Sequence, residues 1–121
     1  MNNSNDGLRK DPVLDIESVD SACIVKLAGE LDLYNADLVR EALSGAVANG
    51  AERVVVDLGE VEFIDSTALG VLIEARTKLR NRGAFLLAAP ALETRRALQI
   101  SGLDRHFAVH DSVPDALSAE V

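Results

Sequence analysis

The run Arg53-Val54-Val55-Val56-Asp57 constrains the fold more than any other stretch of the chain. A strand with one wet face alternates apolar and polar residues, whereas an unbroken apolar run belongs to a strand covered on both faces. Such a strand needs helices to cover the sheet it sits in, so the run points to an α/β domain. Val61-Glu62-Phe63-Ile64 continues it through a short bend into a second apolar piece.

The rest of the chain supplies those layers in order. Val13 to Glu17 and Ala22 to Ala28 read as strands, and Val19-Asp20-Ser21 between them suits a hairpin turn. Beyond Gly29-Glu30-Leu31-Asp32 the period changes. Leu38, Val39, Ala42, Leu43, Ala46 and Val47 fall on one helical face that ends near Asn49-Gly50. A second helix is predicted from Asp65-Ser66, with the stripe Leu69, Leu72, Ile73, Arg76 and Leu79, and with Gly83 as its C-terminal stop. Its late cations Arg76, Lys78, Arg80 and Arg82 read as a solvated face that complements the helix dipole. Ala84 to Ala89 is the next strand, broken by Pro90. Ala91 to Ser101 is a helix stopped by Gly102, and Phe107-Ala108-Val109 is a last short strand. Asp111 or Ser112 then caps a final helix that tolerates Pro114 in its first turn. The expected order is β-β-α-β-α-β-α-β-α: one mixed sheet of four or five strands with about four helices, mainly on one side. Residues 1–12 read as a loose leader and residues 13–121 as the domain.

Composition narrows the function. Aromatic residues make up only 3% of a chain that is 48% hydrophobic, so the core must be aliphatic. The net charge of -8 repels phosphate backbones and anionic lipid heads, which argues against nucleic-acid and membrane-surface binding and favours a basic partner surface. The single cysteine, Cys23, lies in an apolar run and reads as a buried structural thiol. A polar N-terminus and the lack of any apolar run near the ~18 residues of a membrane span predict a cytoplasmic protein. No glycine-rich phosphate loop, metal cluster or acid–base pair is evident, so neither enzymatic activity nor a cofactor is expected.

The segment with the most chemistry is Phe63-Ile64-Asp65-Ser66-Thr67-Ala68-Leu69-Gly70-Val71-Leu72, where a strand leads into a helix. Asp, Ser and Thr are good N-caps, and a helix start offers free amides and partial positive charge. Ser66 can therefore simply cap the helix. It can equally be a phospho-acceptor, with the helix start seating the added phosphate.

Asp65-Ser66-Thr67-Ala68-Leu69-Gly70-Val71-Leu72 resembles the signature segment of STAS-domain anti-sigma factor antagonists. Gly29-Glu30-Leu31-Asp32 is similar to that family's loop after the second strand, and Ser101-Gly102-Leu103-Asp104 with Phe107 to its third landmark. The likeness runs from about Val13 to Leu117. It implies that Ser66 is phosphorylated by an anti-sigma factor that is also a serine kinase. The unmodified protein would bind that kinase and free a sigma factor, and a Ser/Thr phosphatase would reverse the modification. It further implies a contact surface of Glu30, Asp32, Asp65, Ser66, Thr67, Ala68, Leu69 and Gly70, and a monomer when free. Ala68 departs from the family's usual glycine, and its methyl is expected to stand where the kinase must approach.

Other readings fit less well. A two-component receiver would match the Asp57 strand, but it needs paired acidic residues after its first strand and a late lysine, and the only lysines are Lys10, Lys26 and Lys78. Asp57 is read instead as a strand-end residue. A serine hydrolase would need His106 or His110 as base, yet Ser66 is not in a G-x-S-x-G context. Within the same fold, the alternative is an interaction module of a stress-signalling assembly or of lipid-transport machinery.

Overall fold

The computed structural model describes residues 11–80 and 82–120. Its strands are β1 (Val13–Val19), β2 (Ala22–Leu31), β3 (Arg53–Ile64), β4 (Ala84–Ala88) and β5 (Ala108–His110). Its helices are α1 (Ala36–Ala48), α2 (Ser66–Leu79), α3 (Leu92–Ser101) and α4 (Val113–Ser118), with a 3-10 turn over Leu103–Arg105. The expected order and fold class are thus found, with five strands. Most of the predicted leader lies outside the described residues. Its last residue, Pro12, is buried and accepts the Ala28 N–H at 2.9 Å, so that residue packs with the sheet.

The sheet runs β1-β2-β3-β4-β5, with β1 antiparallel to β2 and every later pair parallel. Because the order never reverses, right-handed crossovers place α1, α2 and α3 on one face. Leu43 of α1, Leu72 of α2 and Leu98 of α3 accordingly join Val25, Leu27, Val54, Val56 and Leu58 in one aliphatic core. The chain then turns α4 onto the opposite face, where Ala116 packs against Val55, Leu86 and Ala88. Arg53 fixes that return by donating from Nη1 to the Ala116 carbonyl at 2.6 Å. The Val54-Val55-Val56 run is therefore covered on both faces by different helices.

Several local expectations are corrected. The bend expected after Asp57 is not a break: β3 is continuous, and its register against β2 slips between Lys26 and Ala28 and again between Gly29 and Glu30. Asp57 lies inside the strand, where its carboxylate accepts the Gly59 N–H at 3.0 Å and shapes the first slip. Gly29 sits at the second slip with φ 77, a left-handed conformation that suits glycine within a bulge. Gly83 is no left-handed stop. A Cβ there would lie 2.5 Å from the Glu52 carbonyl oxygen, so its glycine serves a close backbone approach.

The helical stripes also shift. Leu38 and Ile73 are exposed, while Ala68, Val71 and Ala75 complete the inner face of α2. Arg76 is half-buried, its guanidinium 6.0 Å from the centre of the Phe107 ring, which itself packs on Phe85. One of the four cations read as a solvated face is therefore engaged with an aromatic ring. Gly102 ends α3 at φ 78, and Ser112 caps α4 by accepting the Asp115 N–H at 3.1 Å. Cys23 is buried, and that burial pushes its thiol pKa up. Among the described residues no helix is long and apolar enough to cross a membrane.

Candidate functional site

Parallel pairing of β2 with β3 brings Leu31 opposite Ile64, so the loop after β2 and the start of α2 open at the same sheet end. The Asp65 N–H reaches across to the Leu31 carbonyl at 3.0 Å. The Asp65 side chain then serves two donors. One carboxylate oxygen accepts the Ala68 N–H at 3.0 Å and caps α2; the other accepts the Leu33 N–H at 3.1 Å and holds the loop. Asp65, not Ser66, is therefore the N-cap, which leaves Ser66 as the first helical residue with an exposed side chain.

The loop is fixed from within by Asn35, one of the few buried polar side chains. Its Nδ2 donates to the Glu30 carbonyl at 2.8 Å, and its Oδ1 accepts the Asp32 N–H at 2.9 Å. Burial is tolerated because both ends of the amide are satisfied. Asp32 is half-buried and accepts the Tyr34 N–H at 3.0 Å, closing a short turn ahead of α1. One of its oxygens thus already organises its own loop. The result presents Leu33 and Tyr34 outward, Tyr34 with 84% exposure.

The site residues named from the sequence divide by burial. Glu30, Ser66, Thr67 and Gly70 are exposed, and Asp32 and Asp65 are half-buried. Ala68, at 1% exposure, and Leu69 are in the core. The expectation that the Ala68 methyl would crowd an approaching kinase therefore fails, because that methyl points away from the surface. Gly70 has open space where a Cβ would stand.

Leu33, Tyr34 and Asn35 escaped the sequence reading. The available signal was a leucine and a tyrosine in a connection that is otherwise polar. Asn35 carried no signal of its own, since its role depends on a loop conformation that only the structure displays.

Further along, an ion cluster joins α1 to α2. Glu74 accepts from Arg40 Nε at 3.2 Å and pairs with Lys78 at 3.3 Å, while Arg40 also meets Asp37. The Arg40 hydrogen bond, followed by that of Lys78, holds the Glu74 carboxyl below its usual range, and Glu74 raises Arg40 in turn. Among the described residues no group of three His, Cys, Asp or Glu side chains is placed to hold a metal.

The STAS domain model matches residues 13–116. The chain belongs to the STAS domain family. It is 33% identical over 95 residues to an anti-sigma-F factor antagonist, RsfB, of Mycobacterium tuberculosis, covering 78% of each chain. It is 32% identical over 108 residues to an anti-sigma F factor antagonist of Paenibacillus polymyxa, covering 87% of this chain and 92% of that one. The crystal structure of an anti-sigma factor antagonist from Mycobacterium paratuberculosis superposes with a TM-score of 0.80 at 32% identity, over 85% of this STAS chain and 88% of that one. The resemblance read from the segments at 29–32, 65–72 and 101–107 is thereby borne out at the level of the family.

Proposed function

We propose that this STAS protein is an anti-sigma factor antagonist with Ser66 as its switch. Unmodified, it binds an anti-sigma factor that is also a serine kinase and so releases a sigma factor. The kinase phosphorylates Ser66 and ends the complex, and a phosphatase restores it. The protein acts by binding and is not an enzyme.

One observation carries this reading: Ser66 is exposed at the first position of a helix whose cap is provided by its neighbour. The hydroxyl is thus available to a kinase without cost to the helix. Added phosphate brings about -1.5 to -2 charge beside the Asp65 carboxylate and the Asp32 loop. The helix start accommodates that charge, because its amides and dipole favour anions. A desolvated partner surface does not, so the complex breaks while the domain stays folded. The names of the relatives support the same assignment.

The test is purification of the protein from its host, identification of what is retained, and incubation with the retained kinase and ATP. Phosphate should map to Ser66, and the phosphorylated form should lose the partner. Label on Thr67, or a phospho-form that binds as tightly as before, would refute the reading.

A further inference from the structure

An open groove of about 340 Å³ lies between the end of β3 and one flank of α3. Its apolar lining is Phe63, Ile64, Ala97 and Ile100, and its charged rim is Glu62, Glu93 and Arg96. Glu93, Arg96, Ala97 and Ile100 stand at i, i+3, i+4 and i+7, one continuous helical flank. The fold itself does not need these side chains exposed here. α3 is already anchored by Leu98 in the core and by Thr94, whose hydroxyl lies 3.5 Å from the Val61 carbonyl. Yet Ile100 is 81% exposed and Phe63 51%, and adjacent large apolar side chains left in water mark an interaction surface.

Chain continuity and charge say what covers it. Ile64 immediately precedes Asp65, so the groove adjoins the Ser66 site and extends it. Among the described residues that line it the one cation, Arg96, lies 3.6 Å from Glu93, leaving this rim acidic on a chain of net charge -8. An apolar floor with an acidic rim complements an aliphatic side chain flanked by lysine or arginine.

We infer that the groove is a second part of the anti-sigma factor's footprint, taking an aliphatic side chain that the partner presents on a basic segment. The inference rests on the reading of Ser66 as the switch, and it enlarges the contact surface beyond the residues around that serine. Both apolar contacts would lie at the centre of a buried patch, where a few side chains carry most of the binding energy.

The test measures the affinity of variants for the host's anti-sigma factor, purified separately. Ile100→Asp should bind at least about tenfold more weakly, and Phe63→Ala should follow it. Leu92→Asp changes an exposed leucine of the same helix that does not line the groove, and it should stay within about twofold. Ile100 is so exposed that its replacement should leave the melting temperature unchanged. Glu62→Lys should slow association and weaken its salt dependence. Equal losses for Ile100→Asp and Leu92→Asp would reduce the effect to general charge and overturn the groove. Normal binding by Ile100→Asp and Phe63→Ala, with Asp32→Lys and Ser66→Asp still weakened, would also overturn it while leaving the switch standing. Normal binding by all of them, Ser66→Asp included, would sink both.

Discussion

Replacing Asp65 should separate two jobs that one carboxylate performs. In Asp65→Ala both bonds are lost: the part-buried cap to Ala68, a change that costs about 1 kcal/mol, and the exposed loop bond to Leu33, worth about another 1 kcal/mol at most. The expected loss is up to about 2 kcal/mol, or ~8 °C in melting temperature for a domain of this size. Asparagine is as good an N-cap as aspartate, but it offers a single acceptor oxygen. Asp65→Asn should therefore keep the cap, lose the loop bond and cost about half as much, ~1 kcal/mol. Thermal unfolding gives the totals, and amide hydrogen exchange resolves the parts. The Leu33 amide should exchange faster in both variants, and the Ala68 amide only in the alanine variant. Equal melting temperatures for the two variants, or a Leu33 amide as protected as in the unaltered protein, would refute the double anchor. Ser66→Ala is the built-in control. It touches neither bond, and a melting-temperature change like that of Asp65→Ala would show that the cap has been misassigned.

Three further outcomes are expected. Gly83→Ala should destabilise by about 1–3 kcal/mol in chemical denaturation, because its Cβ meets the Glu52 backbone and no flexible atom can yield. The Arg40–Glu74–Lys78 cluster has a sign fixed by the lowered Glu74 pKa. Its contribution is complete above the ordinary carboxyl range, about pH 4.3, and fades as the pH falls through the lower folded value, so Glu74→Gln should flatten that part of a stability-against-pH curve. Cys23, buried and with its thiol pKa raised, should resist alkylation in the native protein and react at the rate of unfolding. Rapid modification under native conditions would contradict its burial.

The sequence displayed what local patterns encode and concealed what depends on approach between distant segments. The valine run at 54–56 revealed a doubly covered strand because burial on both faces leaves no polar position in the register. Gly102 and Ser112 revealed helix boundaries because capping is local chemistry. Gly83 misled, since its reason for being glycine is the carbonyl of Glu52, far upstream in the chain. Ile73 misled as well: period alone cannot say which way a helix is rolled, and Ala68 and Ala75 took the inward positions. At the site, the meeting of the loop after β2 with the start of α2 at Asp65 followed from strand order. The division of labour between Asp65 and Ser66 did not, because both residue types make good caps.

The outer edge of β1 has a bearing on how the molecule meets copies of itself. Among the described residues nothing pairs with that edge, and Leu14 and Ile16 stand exposed along its seven residues. Two such edges could zip together, but the acidic residues interfere with every central alignment. Centred on Ile16, an antiparallel pairing sets Asp15 against Glu17 of the other copy; centred on Asp15 or Glu17, it sets a carboxylate against itself. Against the pairing of one such edge with another, the strand thus sets a pair of charges. Without those two carboxylates, as in Asp15→Asn combined with Glu17→Gln, the strand would keep only the exposed Leu14 and Ile16 to meet another copy.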